Sequence, residues 1–335
     1  MVSLSVLDQS TVVTGRTPAE SIRETIALAQ HCEALGYRRY WVAEHHSSAS
    51  QAGTAPEVLL AALAVSTQRI RVGSAGVMLP HYSSLKVAEQ FRVLEALAPG
   101  RIDLGLGRAP GSDGRTAYAL NPLAETAADH FPAQVRDLIA WVSGEKLVEG
   151  HPFREVLAQP QGPTAPEVWI LGSSDYGAQV AAYFGLPYCY AHFITDGRGA
   201  AEAMALYRAQ FRPSARLAAP HGALCVWALA ADTDAEAARL FSSREVWRLG
   251  RDRGLFLPLP SPEEAVARDY TEEERLRIAR LRERSIYGTA EIVAEKLRDL
   301  AAAHGVDEIA ILTTVHDPVA RRRSYSLLAK AFALR

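Results

Sequence analysis

The stretch "IRVGSAGVMLPHYSSLKVAEQFRVLEALAPGRIDLGLG", Ile70 to Gly107, contains one complete structural cycle. Ile70 to Leu79 is an apolar run of strand length. Ser84 to Leu97 carries its apolar residues at helical spacing, and Ala98-Pro99-Gly100-Arg101 stops that helix. Arg101 to Gly107 is then a second apolar run. Strands that are apolar throughout, rather than alternating, are covered on both faces, and helices between them supply the cover.

The same cycle extends in both directions. Upstream, Ser3 to Asp8 reads as the first strand, and Thr17-Pro18-Ala19-Glu20 is a capping box that opens a helix closed at Gly36. Arg38 to Glu44 is the second strand, followed by a helix over Pro56 to Thr67. Downstream, a long loop leads to a helix over Asp129 to Val142. Strands are then expected at Glu167 to Ser174, Pro187 to Phe193 and Ala223 to Asp232, with helices over Tyr176 to Phe184, Arg198 to Phe211 and Thr233 to Leu249. A helix capped by Thr289 runs to Gly305, and Asp307 to Thr314 is the eighth strand. A doubly wound open sheet is the rival architecture, but eight cycles without a break in composition favour closure into a (β/α)8 barrel. No linker divides the chain, so residues 1–335 are expected to form one domain. Arg251 to Ile286 departs from the cycle, being proline-rich and then strongly charged, and is an insertion that serves either as a lid or as exterior decoration.

At 335 residues, 48% hydrophobic and 22% charged, the chain can bury a substantial core. A net charge of -2, with no dense basic block beyond Arg321 to Arg323, lacks the footprint of a nucleic-acid binder. The opening "MVSLSVLDQS" has no secretory pattern, and no apolar run reaches membrane-spanning length, so a soluble, cytoplasmic protein is expected. Cys32, Cys189 and Cys225 are odd in number and widely spaced, which suits buried free thiols.

In a barrel of this class the chemistry gathers where the strands end. "WVAEHHSSAS", Trp41 to Ser50, puts Glu44, His45 and His46 there, and Asp8, Gln9, Arg108 and His192 follow other strands. A histidine can move a proton near neutral pH and a neighbouring glutamate can fix its tautomer, although paired histidines also serve as ordinary cap residues. "WILGSSDYGAQVAAYFG", Trp169 to Gly185, runs a strand through Ser173, Ser174 and Asp175 directly into a helix. That arrangement offers free N–H groups at a positive helix end to a phosphate, or is simply an N-cap. "GLGRAPG", Gly105 to Gly111, has Pro110 where a dinucleotide fingerprint needs its third glycine, and no nicotinamide site is read there. The small residues of "VGSAGVMLP", Val72 to Pro80, leave room for a flat ligand or for close strand packing. A metal-dependent hydrolase built on Asp8, His45, His46 and His192 is a further reading, but its spacing matches no familiar ligand pattern.

With these stretches in order, the chain resembles the bacterial luciferase-like flavin monooxygenases over nearly its whole length. The resemblance rests on "AEHH", "VGSAGVMLPHYSSLKVAEQF", "GRIDLGLGRAPG", "ILGSSDYGAQVAAYFGLPY" and "YGTAEIVAEKLRDL". It implies a barrel that binds reduced FMN, or in some branches the deazaflavin F420, at the strand C-termini. His45 is the implied catalytic residue, supported by Glu44 and His46. Ser173, Ser174, Asp175, Tyr176 and Gly177 would hold the flavin phosphate, with Arg108 as counter-charge. Ala75, Gly76 and Gly107 would lie along the ring, with a cis peptide at Ala75-Gly76. Asp8, Gln9 and His192 would border the substrate. Gly107 stands where light-emitting members carry a reactive cysteine, so light emission is not expected. The resemblance also implies a separate NAD(P)H:flavin reductase and a homodimer, with Val58, Leu59, Leu63 and Val65 as candidate contact residues. An idle flavin-binding subunit on the same barrel is a further alternative. The substrate is not legible in the sequence.

Overall fold

Parallel pairing runs unbroken through β1 (Ser3–Asp8), β2 (Arg39–Val42), β3 (Arg71–Met78), β4 (Ile102–Gly107), β5 (Glu167–Gly172), β6 (Tyr188–Tyr190) and β7 (Gly222–Ala231) in a computed structural model describing residues 2–335. A short β8 (Ile286–Thr289) intervenes in the chain before β9 (Glu308–Leu312), which lies between β7 and β1. Eight strands thereby close into a (β/α)8 barrel. The Ser3 to Val6 pairing with Glu308 to Ile311 removes the two edges a doubly wound sheet would keep.

Side chains alternate between the two sides of this wall. Leu4 and Val6 of β1 join the layer packed under the helices, whereas Leu7 joins Trp41, Trp169, Cys189, Cys225 and Ala310 in a second, inner cluster. Trp41 and Trp169 meet edge to face with centroids 5.1 Å apart. The helices begin as their caps dictate: Thr17 Oγ1 accepts from the Glu20 N–H, while the Glu20 carboxylate accepts from the Thr17 N–H at 2.7 Å.

The strand beginnings carry a polar layer that sequence reading did not find. Arg39, 1% exposed, donates from Nε to Glu308 at 2.9 Å and from Nη1 to Asp103 at 2.9 Å and Glu167 at 3.0 Å. Trp41 Nε1 donates to Asp103, and Ser5 Oγ to Glu308. Burial alone would raise the Glu308 pKa. Hydrogen bonding from His221 and the charge of Arg39 override it and bring the carboxyl down to about 2. This network closes the barrel at the end opposite the strand C-termini.

Three elements differ from expectation. Gly114–Leu120 and Ala124–Asp129 are short helices inside the expected long loop. β8 is an added strand, paired with Ala228 to Ala231 beyond the part of β7 that meets β9. Its residues "IYGT" are few and only part apolar, and they abut a helix cap, which hides the pattern. The Arg251 to Ile286 insertion divides in two. Arg251 and Phe256 reach the mouth, whereas the helix Glu272–Arg284 packs outside, with Ile278 and Leu281 buried and Arg282 paired to Glu245. On the helix Pro56–Ser66, Leu59 and Leu63 belong to the core, while Val58 and Val65 stand 68% and 64% exposed. Among the described residues no helix is long and apolar enough to cross a membrane.

Candidate active site

The strand C-termini surround a cavity of about 430 Å³ whose lining is mostly apolar. Its floor is the inner cluster, including Leu7, Trp41, Cys189 and Cys225. Both thiols are free and buried, and burial pushes them up, away from thiolate chemistry.

The "AEHH" turn divides its labour. Glu44 is fully buried, and its carboxylate accepts from His46 Nε2 at 2.7 Å, Tyr82 Oη at 2.6 Å and the Met78 N–H at 2.9 Å. It therefore ties the second strand's end to the third, and orients His46 and Met78. His46 turns onto Glu44 and stands edge to face with His81. His45 turns the other way, into the cavity, anchored by its own N–H donating to the Gly53 carbonyl at 2.9 Å. Its Nδ1 is sheltered and has no hydrogen-bond partner among the described residues. Desolvation, with the Arg251 and His46 charges adding to it, brings the imidazole down to about 4, so it is neutral at pH 7.

On the opposite wall, β5 delivers Gly172, Ser173 and Ser174 to the helix Asp175–Phe184. Ser174 occupies the N-cap position, yet no side chain caps this helix, so the plain N-cap reading fails. Tyr188 Oη and Tyr190 Oη donate to the Ser174 and Ser173 carbonyls at 3.0 and 3.2 Å, which fixes the turn and leaves its N–H groups unused by side chains. Arg108 places its guanidinium 4.1 Å from the Tyr176 ring centroid, beside this turn. Gly177 is packed so closely that a Cβ would lie 3.3 Å from Tyr188.

Between these walls, the peptide Ala75-Gly76 is cis, at the point where β3 shifts register against β4. Gly76 has no room for a side chain: a Cβ would come within 2.7 Å of the Gly105 carbonyl oxygen. The glycines thus serve close strand packing, and Ala75, Gly76 and Gly107 also border the cavity with little bulk.

Of the expected substrate-side residues, only Gln9 lines the cavity. Asp8 points to the helix side of the wall, where Arg321 and Tyr40 donate to it at 2.8 and 2.6 Å. Burial opposes its charge, but Arg321 outweighs burial and holds Asp8 below the usual carboxylate range. His192 lies against Gly197 and His304, whereas its neighbours Ala191 and Phe193 reach the cavity. Asp175 is exposed and does not line the cavity. Period-two alternation explains Asp8, since adjacent residues at a strand end face opposite sides, whereas His192 and Asp175 each open a helix beyond the strand end. Asp8, His45, His46 and His192 accordingly do not converge, and among the described residues no cluster of three ligating side chains forms. Sequence reading also missed Arg251, Trp247 and Phe256, which the insertion and the preceding helix bring to the rim.

The residues present suit a flavin phosphate at the uncapped turn and a flat ring along the small-residue wall. Comparison with known proteins agrees with this architecture. The chain is 45% identical over 334 residues to the uncharacterized protein YwcH of Bacillus subtilis strain 168, covering 99% of this chain and 100% of the relative. It is 38% identical over 332 residues to the N-acetyl-S-alkylcysteine monooxygenase of the same organism, covering 99% and 98%. The apo-MsnO8 crystal structure superimposes with a TM-score of 0.91 at 40% identity, covering 100% and 99%. Two more distant structures show the shared fold alone. They are the FMN complex of the oxygenating constituent of 3,6-diketocamphane monooxygenase from Pseudomonas putida (19% identity, TM-score 0.69, covering 98% and 97%) and an F420-dependent secondary alcohol dehydrogenase with an F420-acetone adduct (14%, 0.66, 98% and 98%). The family model for luciferase-like monooxygenases matches residues 2–308, and the chain belongs to that family.

Proposed function

We infer that this barrel is a flavin-dependent monooxygenase that takes reduced FMN from a separate NAD(P)H:flavin reductase and oxygenates a small organic substrate. The observation that carries this reading is an uncapped helix terminus and a neutral histidine facing one largely apolar cavity. When bound, the reduced flavin supplies the electrons with which one oxygen atom enters the substrate and the other leaves as water. The N–H groups from Ser173 to Gly177 and the charge of Arg108 hold the phosphate. Ala75, Gly76 and Gly107, which border the cavity with little bulk, would make room for the ring. His45, neutral and with Nδ1 sheltered, takes up a proton at Nε2, the ring nitrogen left open, while the apolar walls and Phe256 exclude water. Glu44 and His46 act by positioning.

Anaerobic titration with photoreduced FMN and reduced F420 side by side, followed by an oxygen pulse, tests the assignment. Tight binding of reduced FMN with oxygen-dependent product is expected; hydride transfer from F420 without oxygen would replace the reading. His45→Ala should retain FMN affinity within about threefold and lower product formation by about 10²-fold or more. Unchanged turnover would remove the role of His45.

The same reading places the protein in the cytoplasm, where the reductase draws on NAD(P)H, and as a homodimer. Val58 and Val65, with Val93 (48% exposed) and Leu97 (49%) on the adjacent helix Ser84–Leu97, offer an apolar face for a second copy.

A further inference from the structure

Elsewhere in this molecule a buried arginine is matched. Arg39 meets carboxylates, Arg321 meets Asp8, and Arg92 donates to the carbonyls of Pro160, Val142 and Thr164. The exception is one face of the helix Asp234–Arg251, where Arg244, Arg248 and Arg251 recur at helical spacing. Arg248 reaches Asp196 at 3.3 Å, and Arg284 shares that carboxylate at 3.4 Å. Glu245, the buried carboxylate on the same helix, is taken by Arg282. The guanidinium groups of Arg244 and Arg251 make no hydrogen bond or ion pair among the described residues; each lies over a tryptophan, Trp227 and Trp247.

Arg244 and Arg251 line a small alcove that opens beside the main cavity and shares Gln9, Gln51, Phe193, Trp247 and Arg251 with it. Arg244 is 5% exposed. Its Nε, together with Trp247 Nε1 and Thr11 Oγ1, is buried without a partner. Buried donors without acceptors are costly, and the three residues that carry them all line the alcove. Desolvation, followed by the neighbouring Arg248 charge, lowers both guanidinium pKa values, as expected of cations lacking a counter-charge. The alcove holds about 10 Å³, roughly one water's worth of space, so it takes one oxygen of a flat carboxylate while the rest of the group lies at the junction with the main cavity, where the extra oxygens of a tetrahedral group meet the rim.

We propose that the alcove between Arg244 and Arg251 is the substrate's head-group site and that the substrate is an organic carboxylate whose apolar remainder extends into the main cavity. Gln9 and Gln51 line both the alcove and the main cavity. The proposal rests on the flavin reading for the reaction but not for the binding. A carboxylate beside Arg251 also offsets one of the charges that keep His45 deprotonated, so substrate arrival raises the basicity of the imidazole.

The test titrates the full-length protein, without flavin and with FMN, with hexanoate, hexanesulfonate and hexan-1-ol, following tryptophan fluorescence. Hexanoate should bind at least tenfold more tightly than hexan-1-ol and more tightly than hexanesulfonate, with the preference weakening as salt rises. Arg251→Gln should abolish the preference while leaving hexan-1-ol affinity within twofold, and Arg244→Lys should reduce it without leaving the buried site uncharged. Equal affinities for acid and alcohol in the wild type, a preference that survives both substitutions, or tighter binding of the sulfonate would overturn the proposal. A tenfold loss of FMN affinity in Arg251→Gln with the hexanoate preference intact would assign the arginine to the flavin, and also overturn it. Absence of FMN binding with the hexanoate preference intact would instead sink the flavin reading and leave the carboxylate site standing.

Discussion

His45 and His46 are chain neighbours with opposite duties, and the difference is one of direction rather than residue type. Sequence reading could place both at the mouth. It could not say which faces in, because one residue of phase at a strand end reverses every side chain, as Asp8 and Gln9 also show. The His45 pKa is about 4 in the folded protein against 6.5 for the free side chain. Between those values the unfolded chain binds more protons, so stability on this account is full above pH 6.5 and is lost as pH falls through 4. NMR titration should find His45 neutral at pH 5, and a midpoint near 6.5 would contradict the desolvation described above. Glu44→Gln replaces an acceptor of three hydrogen bonds with an amide that must turn a donor toward one of them. Urea unfolding should show a loss of about 2 kcal/mol, with His46 and Met78 released from their positions.

At the scale of elements, strands buried on both faces announced themselves by unbroken apolar runs, and the capping box at Thr17 marked its helix start. What stayed hidden were features that depend on partners distant in sequence. Arg244, Arg248 and Arg251 carry no signal in the sequence beyond their helical spacing until β7, with Trp227, is placed against them. The Arg39 layer is a set of lone charges at strand beginnings until closure brings them together. β3 and β4 approach so closely that a Cβ on Gly105 would fall on the Ser74 carbonyl oxygen, which is backbone and cannot yield. Gly105→Ala should therefore cost about 3 kcal/mol or more in thermal or urea unfolding, an overpacking penalty at the upper end of its usual range.

Across the whole molecule, stability and chemistry occupy opposite ends of the barrel. Arg39→Met would leave Asp103 to Arg71 alone and Glu308 to Arg38 and His221, and denaturant unfolding should report a loss of about 3 kcal/mol, the lower end for removing one partner of a buried ion pair. The folded-state pKa of Glu308 is depressed from 4.5 to about 2, so its contribution is present above pH 4.5 and disappears as pH falls toward 2. Melting temperature followed across that window should fall more steeply for the wild type than for Glu308→Gln. If the proposed homodimer forms through this face, Val58→Glu with Val65→Glu should halve the mass seen by light scattering while leaving far-UV circular dichroism unchanged; a wild type of monomer mass would overturn the proposed dimer. The charged layer at the strand beginnings also decides traffic. With Arg39, Asp103 and Glu308 buried at the far end, ligands reach the cavity through the doorway at the strand C-termini. Two ligands sharing one doorway form a queue: the deeper one must arrive first and depart last, so initial-rate kinetics should follow a compulsory order, and the spent cofactor and product cannot leave independently of each other.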